Sequence, residues 1–198
     1  MYISFVKHTS LLLLYILFLY ASNLFPHFLQ LSYIHYIRRC SMKTFNIKLL
    51  RYIAIPLITG AIAALLTSES MTTFSQFEKP ALSPPGWLFP VVWTILYTLM
   101  GISAYLIGQS KVAPIERAKA LTLYTYQLAV NFLWSIFFFN FEWYLFSFLW
   151  IILLWILVLL MIRSFYKINK AASYLNIPYL LWITFAAYLN FGIWLLNR

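Results

Sequence analysis

A chain of 198 residues that is 64% hydrophobic and only 9% charged has too little polar side-chain surface to solvate a water-soluble globule of its size. No pattern of short alternating segments suggests a membrane barrel, so the expected fold is an all-α integral membrane protein. The formal net charge of +10 does not point to nucleic acid, because the basic residues are scattered at the ends of apolar runs and form no single patch.

Residues 1–41 differ from the rest. They hold His8, His27, His35 and Cys40, which are all the histidines and the cysteine of the chain, and an apolar run from Thr9 to Ala21 behind Lys7. Four readings compete: a secretory signal, an organellar targeting extension, a sixth helix, or translated sequence upstream of a true start at Met42. The last is favoured, because the run from Met42 opens like an ordinary membrane protein, with Lys43, Lys48 and Arg51 ahead of an apolar stretch. The histidines lack metal-ligand spacing, and no metal site is expected.

Residues 42–198 form one membrane domain with five apolar runs bounded by charges. These predict a five-transmembrane-helix bundle: Ile47 to Leu66, Pro85 to Ile107, Ala118 to Phe139, Trp143 to Ile162 and Ser173 to Leu196. Lys43, Lys48, Arg51, Lys111, Arg117, Lys119, Arg163, Lys167 and Lys170 fall on one face, against Lys79 and Arg198 on the other. The positive-inside rule then puts the amino end of the five-helix unit in the cytoplasm. Pro84-Pro85-Gly86 reads as the start of the second helix, since proline in a first turn loses no hydrogen bond. The long connection from Thr67 to Ser83, with Lys79 and Pro80, reads either as plain punctuation or as a lid, with Pro84, Pro85 and Trp87 at its far end.

From Met42 onward there is no histidine, cysteine or aspartate, and Glu69, Glu78, Glu116 and Glu142 lie at helix ends or in loops. Paired catalytic carboxylates, nucleophile and base pairs and phosphate loops are therefore absent from the apolar runs. No ionisable residue of the kind that coupled transporters keep at membrane depth is found there either. What remains is amide and aromatic. Gln127, Asn131, Trp134 and Phe138 share one face of the third helix, and Trp93, Tyr97 and Ala104 share one on the second. Trp182, Phe185, Ala186, Leu189 and Ile193 share one on the fifth, with Asn190 at its border. Such faces serve either as packing and amide glue or as the walls of a cavity. Trp87, Trp143 and Trp194, near span ends, suit an interfacial belt, while Gly60, Ala64, Gly101 and Ala104 suit close helix approach.

These residues together resemble the TspO/translocator-protein family, the tryptophan-rich sensory proteins and peripheral benzodiazepine receptors, over essentially all of Met42 to Arg198. The motifs are Lys79-Pro80 followed by Ser83-Pro84-Pro85-Gly86-Trp87-Leu88-Phe89-Pro90 and Val92-Trp93-Thr94 with Leu96-Tyr97. Gln127-Leu128 with Asn131 and Trp134-Ser135 follow, then Pro178-Tyr179-Leu180 with Trp182, Phe185-Ala186, Leu189-Asn190, Trp194 and Asn197. The resemblance implies a five-helix bundle, usually a homodimer, with a pocket beneath the first loop for porphyrins such as protoporphyrin IX and haem-related tetrapyrroles. In many members it also takes isoquinoline-carboxamide or benzodiazepine drugs and sterols. It implies that Trp93, Tyr97, Asn131, Phe138, Trp182 and Ala186 line that pocket, and that the tryptophans at 93 and 182 take part, in some members, in light-dependent porphyrin breakdown. The function it implies is a porphyrin-binding sensor or translocator, with a porphyrin-degrading enzyme, a small-molecule transporter or a sterol and drug receptor as alternatives, and no obligatory cofactor. Thr73-Phe74 stands where the family often has Trp-Tyr, and Leu189, Phe191 and a distant Arg198 stand where animal members carry their sterol pattern, so sterol binding is not expected. A bundle without histidine favours metal-free porphyrin over axially ligated haem.

Overall fold

The computed structural model describes residues 47–70 and 77–198, and all regular structure there is helical. The leader expected at 1–41 and the Thr73-Phe74 pair lie outside the described residues. The helices are α1 (Ile47–Thr67), α2 (Leu88–Gly108), α3 (Pro114–Ser135), α4 (Tyr144–Ile168), α5 (Lys170–Tyr174) and α6 (Ile177–Leu196). A five-residue π-helical turn, Ile136–Asn140, continues α3.

Among the described residues, α1, α2, α4 and the α5–α6 segment are long and apolar enough to cross a membrane. Their outward faces are as apolar as their inward ones, which is the mark of helices solvated by lipid. On α4, Ile151, Leu154, Val158, Met161 and Phe165 are buried while Leu145, Leu149, Ile152, Ile156 and Leu160 are exposed. α3 is the exception. Its first turns carry Glu116, Arg117 and Lys119, and apolar residues take over only beyond them.

The predicted boundaries shift for local physical reasons. α2 begins at Leu88 and not at Pro85: the Pro85 and Gly86 carbonyls accept from the Leu88 and Phe89 amides at 3.0 and 3.3 Å, so the double proline sits in a turn outside the helix. Pro90 instead occupies the first turn, where its missing N–H costs nothing. α3 starts earlier, at Pro114, and α4 runs through Arg163 and Lys167 to Ile168, since long basic side chains extend from a helix end toward water. The last span is broken between Tyr174 and Ile177, where Pro178 enters the first turn of α6 and Asn169 caps α5 by accepting from the Ala172 amide at 3.0 Å.

α4 packs along α3 and α6, and α2 against α3 and α5. α1 meets α2 through glycine. A Cβ at Gly101 would lie 2.5 Å from Ile53 Cα, so the two backbones touch there, and a Cβ at Gly60 would overlap the Tyr97 ring. The core of α2, α3, α4 and α6 is filled around Met100, Ile107, Met161, Phe165 and Tyr179.

Candidate functional site: an aromatic cavity under the first loop

The carboxyl-terminal halves of α1 and α3, the amino-terminal half of α2 and the length of α6 beyond Trp182 enclose a cavity of about 570 Å³, roofed by the loop ahead of α2. That volume lies within the range of small-molecule sites. α2 contributes Phe89, Trp93, Thr94 and Tyr97; α3 contributes Asn131, Trp134 and Ser135, with Phe138 and Phe139 from the π turn; α6 contributes Trp182, Ala186, Leu189, Asn190 and Ile193.

The rings are set by stacking and by hydrogen bonds. Trp93 stacks on Tyr97 with centroids 5.3 Å apart and Trp134 on Phe138 at 5.4 Å, while Phe89 meets Trp182 edge-on at 5.9 Å. Asn131 Nδ2 donates to the Tyr97 hydroxyl at 3.0 Å, joining α3 to α2. Trp134 Nε1 donates to Asn190 Oδ1 at 3.1 Å, and Asn190 Nδ2 donates to the Tyr144 carbonyl at 2.8 Å, so one carboxamide ties α3, α4 and α6 together.

The lining is more apolar than its residue names suggest. Thr67, Ser83, Thr94 and Ser135 each donate their hydroxyl to a nearby backbone carbonyl, at 2.7 to 3.0 Å. The tryptophans divide in the same way. Trp134, Trp150 and Trp155 donate their indole N–H to Asn190, the Val130 carbonyl and Thr184. Among the described residues, the Trp93 and Trp182 N–H groups have no such acceptor, although both rings line the cavity.

Trp93, Tyr97, Asn131, Trp134, Phe138, Trp182, Ala186 and Asn190 thus come together as one wall set, with Lys79 and Pro84 from the loop. Phe185, Pro80, Pro85 and Trp87 do not line the cavity. Phe185 packs between Trp182 and Tyr188, at 5.7 and 6.2 Å. Pro80 sits against Gly192 of α6, and Trp87 is 67% exposed.

Sequence reasoning missed α1, whose Gly60, Ala61, Ala64 and Thr67 form a smooth wall. The signal was small residues at helical spacing. Ala64, expected at a helix contact, faces the cavity instead.

The loop is latched onto α6. Asn197 Oδ1 accepts from the Glu78 amide at 3.1 Å while its Nδ2 donates to the Glu78 carbonyl at 2.9 Å, and the Tyr188 hydroxyl donates to the Ala81 carbonyl at 2.8 Å. Around the second latch the Ser83 amide closes a turn on the Pro80 carbonyl, with Leu82 at φ 69°, a left-handed conformation that favours glycine.

The fold and cavity define a helical integral membrane protein with an aromatic intramembrane site. Residues 52–195 match the TspO/MBR family model, and the chain belongs to that family. It is 43% identical over 152 residues to the tryptophan-rich protein TspO of Archaeoglobus fulgidus, covering 76% of this chain and 97% of that protein. It is 33% identical over 138 residues to protein CrtK of Rhodobacter capsulatus, covering 70% and 85%, and 32% identical over 136 residues to the translocator protein of Homo sapiens, covering 64% and 75%. Family membership makes it a membrane protein of the sensor or translocator type.

Proposed function

We propose that the cavity binds a metal-free porphyrin or a related planar, apolar tetrapyrrole, and that binding serves porphyrin regulation, trafficking or stress response. The observation that carries this reading is the pair Trp93 and Trp182, whose rings line the cavity while their N–H groups lack acceptors among the described residues. A flat aromatic ligand gains ring contacts from these walls and apolar burial from α1. Lys79 brings a positive charge to the loop side of the cavity, where a ligand carboxylate would be favoured. The amino end of the five-helix unit lies on the cytoplasmic side in this reading, supported by the positive-inside count, and the protein works as a homodimer in the bilayer.

The test is a titration of the purified protein in detergent with protoporphyrin IX in the dark, following tryptophan fluorescence. Saturable quenching is expected, with affinity lowered about tenfold or more in the Trp93→Phe, Trp182→Phe double variant, equivalent to about 1.4 kcal/mol. Unsaturable quenching, or an unchanged affinity in the double variant, would reject the assignment.

A second reading is favoured by the placement of both tryptophans on one cavity: light-dependent porphyrin breakdown, with an indole as electron donor and dioxygen as oxidant. It predicts a new absorbance band on illumination that free porphyrin does not give and that the double variant loses.

A further inference from the structure

Four buried side-chain atoms among the described residues have no hydrogen-bond partner: the Tyr124 and Tyr179 hydroxyls, Gln127 Oε1 and Asn176 Oδ1. Gln127, Asn176 and Tyr179 are 0% exposed and Tyr124 is 7% exposed, and none of the four residues lines the aromatic cavity. They are not dispersed. Tyr124 and Gln127 lie one turn apart on α3, and Asn176 and Tyr179 one turn apart at the start of α6. α2 joins the two pairs: among the described residues Gln127 Nε2 reaches only the weak acceptor Met100 Sδ at 3.7 Å, and Asn176 Nδ2 donates to Ser103 Oγ at 2.6 Å. Tyr97 stands one turn before Met100 on α2, and its stacking partner Trp93 meets the Tyr179 ring edge-on at 6.1 Å.

Leaving such groups unpaired in a close-packed interior is strongly disfavoured, and native proteins contain few of them. Turning the Gln127 amide over only exchanges which of its atoms faces the Met100 sulfur. The chemistry of the set is selective. Two hydroxyls both donate and accept, and two carboxamide oxygens only accept, so an anion would meet repelling oxygens and a metal cation would find no charged ligand. Water, with two donors and two acceptors, complements all four.

We infer that ordered water occupies a polar layer between α2, α3 and α6, bounded by Tyr124, Gln127, Asn176 and Tyr179, directly behind the cavity floor. Tyr97 connects the two compartments. It lines the cavity and accepts from Asn131, while its own O–H has no acceptor among the described residues. This inference stands apart from the identity of the cavity ligand.

The experiment is X-ray radiolytic hydroxyl labelling of the full chain in detergent, with H₂¹⁸O as the label source and mass spectrometric readout. Radicals formed from bound water label adjacent side chains even when bulk solvent is excluded, so Tyr124 and, as the stricter comparison at the same 0% exposure, Tyr179 should label well above Phe165, a sealed ring in apolar surroundings. Labelling of both tyrosines no faster than Phe165 would overturn the inference. Tyr124→Phe and Tyr179→Phe give an independent sign. With water present, each variant strands a bridged partner and lowers Tm by about 2–4 °C. A rise in Tm for both, as expected when an unpaired hydroxyl leaves a dry core, would also overturn it.

Discussion

Both ends of the bundle draw on α2, α3 and α6, yet the loop end encloses a cavity while the other, filled out by α4, is packed solid apart from the water layer inferred above. At the loop end, flat rings are held by stacking partners and hydrogen bonds: Trp93 on Tyr97, Trp134 on Phe138 and to Asn190. At the opposite end, Met100, Ile107, Met161 and Phe165 are 0% exposed and adapt to one another. Pinned rings hold a space open, whereas the adaptable Met100 and Met161, packed with Ile107 and Phe165, close it. The polar groups divide the other way. The amides of the hollow end have partners on neighbouring helices, and the hydroxyls and carboxamide oxygens that lack a side-chain or backbone partner among the described residues sit in the solid one, on the inferred water.

Adding volume to each end breaks this contrast most sharply. Ala104→Phe, at a 0% exposed site in the solid end, is expected to destabilise the fold by about 3 kcal/mol or more, measured by thermal unfolding in detergent. Asn190→Ala strands the Trp134 N–H and the Tyr144 carbonyl, and should cost about 1–3 kcal/mol in the same assay. Ala186→Phe puts its ring into the cavity, so stability should change by less than about 1 kcal/mol while saturable protoporphyrin quenching disappears. The smallest effect has the opposite sign. Leu82→Gly relieves a left-handed backbone and should stabilise by roughly 0.5–1 kcal/mol, seen as a small rise in Tm, since Leu82 is 81% exposed and little packing is lost.

Helix positions were readable because a membrane excludes charge, which makes Glu69, Lys79, Lys111 and Glu142 visible punctuation. Helix ends were less so. Arg163 and Lys167 lie inside α4 because a long stem carries their charge away from the apolar core, and composition alone treats them as a boundary. The break after Tyr174 depends on Asn169 and Asn176 side chains bonding backbone, and the π turn at Ile136–Asn140 closes with an i→i+5 bond from Phe141 to Ile136 at 3.2 Å. Neither leaves a periodic trace. Cavity walls on α2, α3 and α6 were legible from amides and large rings at three- and four-residue spacing. Phe185 fits that spacing too, but it sits at the edge of the stripe, where Tyr188 competes for its ring.

Asn190 carries one more consequence. Because both ends of its carboxamide are engaged, by Trp134 and by the Tyr144 carbonyl, the wall between α3, α4 and α6 is assembled before anything enters. The proposed guest would therefore meet a preorganised surface and little further side-chain freedom would be lost on binding, so discrimination would fall to outline and thickness. Under the proposed binding role, selection at this wall would work like a letterbox, admitting what is thin enough and turning away what is not, whatever the guest's total apolar area.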